Sequence, residues 1–310
     1  MNAGYLVSTV IVTWNTREFL RACLGSLLAA CRVLAAPVEI IVVDNASSDA
    51  SAAMVRDEFP SVQLVTNETN VGFAAATNQG VRLSRGTYVL LLNPDTTAAP
   101  DFLKELVSFM NAHPVAAAAG ARLVDRSGKD QVACFPLPTV AREMWRLFHM
   151  DRLRAVATYP FARWGSEIPR NVESIHGACM LLRREALAAI GSLDERFFIY
   201  TEEIDLCRRL HDAGWEMFWV PSAVVVHYGG GSTEQVAAPM FLQLYRSKVQ
   251  YFRKHSGASG ALVYKAVLCA ASFPRIVLAA LGFVVIPSRR EKCRALARNY
   301  SALLVRLWAL

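Results

Sequence analysis

The sequence has no G-x-G-x-x-G segment, no C-x-x-C pair, no positively charged leader ahead of an apolar run, and a single acid after Met240. Without the glycine fingerprint there is no tight turn to seat a dinucleotide pyrophosphate, which argues against an NAD-dependent oxidoreductase. The seven cysteines, Cys23, Cys31, Cys134, Cys179, Cys207, Cys269 and Cys293, are odd in number and widely spaced. Free thiols of a reducing compartment are therefore expected, not zinc ligands or a dithiol. Residues 8–15 already read as part of a fold and not as a cleavable leader, so the protein is expected to stay in the cytoplasm. The longest clean apolar run, residues 276–286, is about half of the ~20 residues a membrane-crossing helix needs.

What is present is a chain of 310 residues, 54% of them hydrophobic, which suits one large α/β domain with an appendage. Charges are too regularly scattered for a polytopic membrane protein, yet their signs are not evenly spread. Twelve Lys and Arg follow Met240 against Glu291 alone, so the tail carries +11 of a net +7 and the body −4. A basic tail on a mildly acidic body points to an anionic surface, phospholipid headgroups above all, and away from nucleic acid. Residues 262–286 are apolar but interrupted by Lys265, Pro274 and Arg275, and Arg289, Arg290, Lys292, Arg294 and Arg298 follow. A basic amphipathic helix lying in the membrane interface is expected; an ordinary helical appendage packed on the domain or on another subunit also fits. The expected division is therefore a catalytic domain over 1–239 and a helical basic region over 240–310.

Along the body, residues 5–13 (YLVSTVIVT), 38–43 (VEIIVV), 62–65 and 88–92 (YVLLL) are short apolar runs typical of strands buried on both faces. Between them, Leu20, Leu24, Leu27, Leu28 and Cys31 recur at helical spacing, a helix is expected over 51–58, and another closes over 79–84. Alternating strands and helices indicate a parallel sheet, whose ligands bind at the carboxyl ends of the strands. Three strands end on polar clusters: Trp14 with Asn15, Asp44 with Asn45, and Asn93 with Asp95. Residues 131–169 lose pattern and read as an irregular insertion over the cleft. Order returns at 174–184, in a helix over 185–190, at 197–210 (FFIYTEEIDLCRRL), and in strands over 216–220 and 224–227 ahead of the glycines at 229–231.

Asp95, just past a buried strand, can hold Mg2+ or Mn2+ against a diphosphate, although Asn-Pro-Asp is also an ordinary turn. Asp44 and Asn45 can meet a base or ribose, since a carboxylate accepts from the imide N–H of uracil or thymine; helix capping is the plainer alternative. Asn70, Gly72 and Asn78 in TNVGFAAATNQG offer close backbone approach and amide contacts to phosphate or sugar. Glu202, Glu203 and Asp205 follow an aromatic run, where a raised pKa and a general base can be made, but acids also favour a helix start. His227 at a strand end is a metal ligand or a structural histidine.

Together these blocks resemble the family-2 glycosyltransferases of bacterial envelope polysaccharide synthesis, especially the rhamnosyltransferase-like branch. VSTVIVTWN, VEIIVVDNASSD, NVGFAAATNQG, YVLLLNPDT, GACMLLRR, FFIYTEEIDLCRRL and VVVHYGGGST carry the resemblance, in order, over residues 8–233. It implies a GT-A fold: an α/β, Rossmann-like, mostly parallel central sheet with flanking helices, here with a helical, basic, membrane-associating appendage. Position by position, Thr13, Asn15 and Asp44 match residues that grip the nucleotide, with Asp44 on the pyrimidine. Asp95 matches the metal-binding second acid of the DXD motif, and His227 matches the histidine that completes the metal site. Glu203 falls where the family places its catalytic base, with Asp205 and Glu202 as alternatives. Asn93 replaces the first acid of DXD, Glu203 replaces the usual Asp, and Ile175 and His176 stand where many relatives carry tryptophan.

The implied activity is a metal-dependent, inverting transfer from a nucleotide-sugar donor (dTDP- or UDP-linked) to a glycan or polyprenyl-linked acceptor, at the inner face of the cell membrane. On resemblance the donor is dTDP-L-rhamnose; galactosyl, galactofuranosyl, mannosyl and glucosyl donors are alternatives. A catalytically silent sugar-nucleotide-binding subunit is the competing class, and the joint retention of Asp95, Glu203 and His227 argues against it. A homo-oligomer is left open.

Overall fold

The computed structural model describes residues 4–161, 164–165, 167–229, 237–285 and 287–309. The chain divides into two compact units: Met1–Leu137 with Tyr159–Phe198 and Glu202–Gln235, and Pro138–Thr158 with Ile199–Thr201 and Val236–Leu310.

The first unit is built on strand β1 (Val7–Thr13), buried at every position because parallel neighbours flank it on both sides. These neighbours are β2 (Val38–Asp44) and β4 (Tyr88–Leu92), with β3 (Gln63–Thr66) parallel beyond β2. The register pairs Thr13 with Asp44, so the two strands end level. Helices α1 (Arg17–Leu34), α2 (Ser51–Glu58) and α3 (Phe73–Leu83) make the crossovers. The amphipathic α1 buries Leu20, Cys23, Leu24 and Leu27.

After β4 come β5 (Thr96–Ala98), α4 (Phe102–Ala112) and β6 (Ala116–Val124). Residues 134–212 add two-residue strands β7 (Cys134–Phe135), β8 (Arg170–Asn171) and β9 (Ser174–Ile175), then β10 (Cys179–Arg183), α6 (Arg184–Ile190) and α7 (Glu202–Asp212). β10 runs antiparallel between β4 and β6, and β11 (Glu216–His227) lies parallel to β6. The two runs that the sequence separates at 220 and 224 form this one strand, with a register break around Pro221. Its last residues pair antiparallel with β5, His227 opposite Thr96, which brings His227 back beside Asp95.

The second unit contains α5 (Val140–Leu147), α8 (Ala237–Val285) and α9 (Arg290–Arg306). The expected boundary at 239/240 falls near the described start of α8, but this unit also takes in 138–158, which the sequence pattern presents as part of an irregular insertion. Within it, Thr139 caps α5 by accepting from the Arg142 amide. Helix α8 is interrupted at Gly257, whose φ of 70° is not helical. Glu143 of α5 is buried and accepts from Lys248 Nζ at 2.8 Å, from Arg146 Nη2 at 2.7 Å and from Tyr264 at 3.4 Å. Replacing Lys248 by Met removes a buried partner of a buried carboxylate. We expect the unfolding free energy of this unit to fall by about 3 kcal/mol, measured by chemical denaturation.

Candidate active site

At the level ends of β1 and β2 the side chains hold the loops, and one of them also keeps a buried oxygen to spare. Asn15, at φ 53°, accepts from the Ser48 amide at 2.7 Å, and its own amide donates to Ser47 Oγ, so it ties the β1 loop to the β2 loop. Thr13 is fully buried, its hydroxyl 2.8 Å from that of Thr16. Asn45 donates to Asn70 Oδ1 and Gly72 O, and accepts from Asn67 Nδ2 and the Val71 amide. Asn45 and Asn70 therefore shape the 67–72 loop with their own amides. Gly72, at φ 89°, lets that loop approach the main chain of Phe198: a Cβ there would lie 2.7 Å from Phe198 O. Asp44 differs. Its Oδ2 accepts from the Ser47 amide, while its Oδ1 is buried with no hydrogen-bond partner among the described residues. A buried carboxylate oxygen without a donor is an acceptor that a ligand N–H would satisfy.

A second group gathers around residues 176–178. The backbone of Gly177 lies against Glu203 with no side chain between: a Cβ on Gly177 would be 3.5 to 3.9 Å from Glu203 Cβ, Cγ and Cδ. On one side of Gly177, the His176 ring stands 5.5 Å from that of His227. On the other, Ala178 O accepts from the Asn93 amide at 2.9 Å. Glu203, Asn93, Asp95 and His227 thus share one region. Burial first, and then the neighbouring His227, push the His176 imidazole down to about 4 and keep it neutral.

His227 and Asp95 form the most informative contact. Gln131 Nε2 donates to His227 O at 2.9 Å, which fixes the amide and turns its oxygen toward His227 Nδ1, 3.0 Å away. Nδ1 must then carry the proton, and Nε2 presents a lone pair to Asp95 Oδ1 at 3.6 Å. Burial lowers the pKa of His227 against the opposing pull of Asp95, so a proton does not readily fill the gap. A carboxylate oxygen and an imidazole nitrogen facing each other in this way are donors of the type that can hold a divalent cation. Among the described residues no group of three or more His, Cys, Asp and Glu is arranged for a metal ion.

The three acids in the first turn of α7 have three environments. Asp205 is fully buried and receives Arg209 Nε at 2.9 Å, and the same guanidinium donates to the carbonyls of Ile190, Gly191 and Ser192. It thereby anchors the segment after α6. Glu202 is buried, and its Oε2 has no hydrogen-bond partner among the described residues. Burial, and then the charge of Glu203, raise its carboxyl well above the usual range, which makes Glu202 the neutral member. Glu203 is half-buried. Asn78, likewise, exchanges hydrogen bonds with the Leu193 backbone and donates to Glu195, apart from both groups. Of the glycines at 229–231, only Gly229 lies within the described residues.

Residues 8–191 match the Glycosyl transferase family 2 profile. The chain belongs to this family. The N-acetylglucosaminyl-diphospho-decaprenol L-rhamnosyltransferase of Mycobacterium tuberculosis is 27% identical over 274 residues, covering 81% of this chain and 86% of that protein. Among solved structures, the mannosyltransferase PcManGT of Pyrobaculum calidifontis, in complex with GDP-Man and Mn2+, superposes with a TM-score of 0.56 at 17% identity, over 98% of this chain and 88% of its own. GalNAc-T7 with UDP, GalNAc and Mn2+ gives 0.56 at 16% identity over 80% of this chain, which spans 48% of that protein. These likenesses show the GT-A fold, with the mixed, mostly parallel sheet and flanking helices described above.

In this family-2 glycosyltransferase the sequence pattern did not single out Gln131, Gly177 or Tyr228. Gln131 lies at the start of the unpatterned 131–169 stretch, and only the β6 turn brings it to His227. Tyr228 donates its amide to Asp95 O at 2.9 Å and so fixes the loop that carries the carboxylate.

Proposed function

We propose that this glycosyltransferase moves a sugar from a nucleotide diphosphate to a hydroxyl of a glycan or polyprenyl-linked glycan with inversion, and that the donor is dTDP-L-rhamnose. The observation that carries the proposal is the opposed pair of acceptors, Asp95 Oδ1 and His227 Nε2, held 3.6 Å apart by Gln131 at the end of a nucleotide-binding type of sheet. Asp95 and His227 hold a divalent cation, Mg2+ or Mn2+, whose chemistry when bound is to neutralise the charge that collects on the departing diphosphate. Asp44 Oδ1 accepts the imide N–H of thymine or uracil. Glu203 takes the proton of the attacking hydroxyl as the bond from the anomeric carbon to the diphosphate oxygen breaks on the opposite face. The choice of rhamnose is supported by the Mycobacterium tuberculosis relative, whose name states that sugar. The transfer takes place at the cytoplasmic face of the membrane, reached through the C-terminal helices.

The test is nucleotide release from a donor panel of dTDP-L-rhamnose, UDP-glucose, UDP-galactose, UDP-galactofuranose and GDP-mannose, with and without Mn2+, and with a polyprenyl-diphosphate-linked acceptor. Release should be fastest from dTDP-L-rhamnose and should need the metal. Faster release from another donor would keep the transferase and change its sugar. Metal-dependent binding with no turnover would make the chain a silent binding subunit.

A further inference from the structure

Ordinary surface helices turn apolar residues inward and polar ones to water. The second half of α8 does not. Ala261, Tyr264, Leu268, Ala271 and Ala279 face into the second unit and are buried, and Lys265 is buried with them. Every exposed position between 261 and 285 is apolar, including Leu262 at 56%, Phe273 at 67%, Leu278 at 66% and Val284 at 71% exposure. Arg275, the other cation in this stretch, is turned inward, where it donates to the carbonyls of Leu147 and Ala271. At 100° per residue these exposed side chains fall on one continuous arc. Soluble proteins scatter exposed apolar residues singly; a contiguous face of this kind marks a surface that is covered in use.

Charge identifies the cover. At the end of α8 the chain turns through Pro287–Arg289 into α9, which packs back along α8. Arg289, Arg290, Lys292 and Arg294 are exposed at this turn and at the start of α9, a few residues after Val284 and Val285, with Glu291 as the acid among them; Arg290 and Arg294 lie over the Phe283 ring at 5.7 and 5.3 Å. An apolar face ending in a cluster of cations is complementary to acyl chains bordered by phosphates. A second copy packed parallel would bring the same cations together, and in either direction its helix would cover only the narrow two-per-heptad seam. The exposed arc is wider, with Leu278, Leu281 and Val285 extending to one side of Phe273. By length and composition α8 could cross a membrane. Its opposite arc, however, is packed on protein and carries the buried Lys265.

We propose that the 262–285 face of α8 lies in the plane of an anionic bilayer, at the boundary of headgroups and acyl chains, with Arg289, Arg290, Lys292 and Arg294 on the headgroup phosphates. The inference rests on the membrane-surface part of the proposed function and is independent of the sugar transferred.

The experiment is co-sedimentation of the full chain with vesicles of phosphatidylcholine alone or with phosphatidylglycerol, for wild type, for F273E/L278E and for R289E/R290E. All four positions are exposed, so folding should be kept, and donor-dependent nucleotide release without vesicles checks that it is. Wild type should bind the anionic vesicles and be released by alkaline carbonate. F273E/L278E should bind at least about tenfold more weakly to both vesicle types, and R289E/R290E should lose chiefly the preference for phosphatidylglycerol. Wild-type binding that F273E/L278E leaves unchanged would overturn this face while keeping the membrane reading. No binding by wild type would overturn both; if F273E/L278E then turns a dimer into a monomer, a second copy covers the face. Resistance to carbonate would show a span in place of an in-plane helix.

Discussion

Glu203→Gln should lower kcat about a thousandfold while donor affinity stays within about twofold, the effect of deleting a general base whose shape is kept. The glutamine amide fills the same space against Gly177 but cannot take a proton from an acceptor hydroxyl. Glu202→Gln supplies the internal contrast. Burial and the Glu203 charge hold Glu202 in its neutral form, so an amide there replaces one uncharged group by another and turnover should remain close to wild type. The sign of its stability effect follows from linkage. A carboxyl whose folded pKa is raised contributes stability that is complete below its unfolded value and is lost as pH rises through the folded value. Glu202→Gln has no such loss, so its melting temperature relative to wild type should be higher at pH 8 than at pH 5. Steady-state kinetics and thermal unfolding at those two pH values check both statements. Near-normal turnover in Glu203→Gln, or a collapse of turnover in Glu202→Gln, would move the base away from Glu203.

The fold was legible where burial and periodicity agree. β1, β2 and β4 are runs rich in β-branched residues or leucine because they are covered on both faces, and α1 announces itself through Leu20, Leu24 and Leu27. β6 was not legible. Its Ala116–Ala119 run has little β-propensity, and these alanines are strand residues because β10 and β11 pair on either side. Gly120 belongs there for the same reason of closeness: a Cβ would lie 2.3 Å from Ile175 Cγ2. α5 was hidden because its main partners, Lys248 and Tyr264, are more than a hundred residues away in sequence.

The site was legible by residue type more than by use. Asp44, Asp95, Glu203 and His227 stand at strand or helix ends where a carboxylate or imidazole can face a ligand. Asn45, Asn70, Asn78 and Asp205 have the same kinds of polar group nearby in sequence, yet their hydrogen bonds hold loops in place. Nothing local in sequence separates the two sets. The loop-holding role of the second set follows from long-range contacts such as Asn78 with Leu193 and Asp205 with Arg209, whereas Asp44 Oδ1 has no partner among the described residues. Gln131 is not legible in the sequence because its partner is a histidine 96 positions away.

That tautomer decides the second large effect. Asp95→Asn should lower metal-dependent nucleotide release by about two to three orders of magnitude, because the anionic ligand is replaced by an amide that can offer its NH2 to His227 Nε2 and close the cation position. The backbone should be unaffected, since the Tyr228 amide bonds Asp95 O and not the side chain. His227→Ala should follow in severity, and Gln131→Ala should cost about 10- to 100-fold in metal affinity, the usual range for a residue that orients a ligand without touching the metal. If Asp95 and His227 are the protein's ligands, a cation held by them would take oxygens from the donor diphosphate to complete its shell. Mn2+ should therefore bind weakly to the free protein and tightly once dTDP is present, which electron paramagnetic resonance of free Mn2+ measures directly. If Asp95→Asn bound Mn2+ and dTDP as wild type does, the opposed acceptors would be a structural contact and the cation would have to lie elsewhere. If binding fell in the order Asp95, His227, Gln131, the hydrogen bond from His227 Nδ1 to Gln131 would be what keeps Nε2 open for the metal.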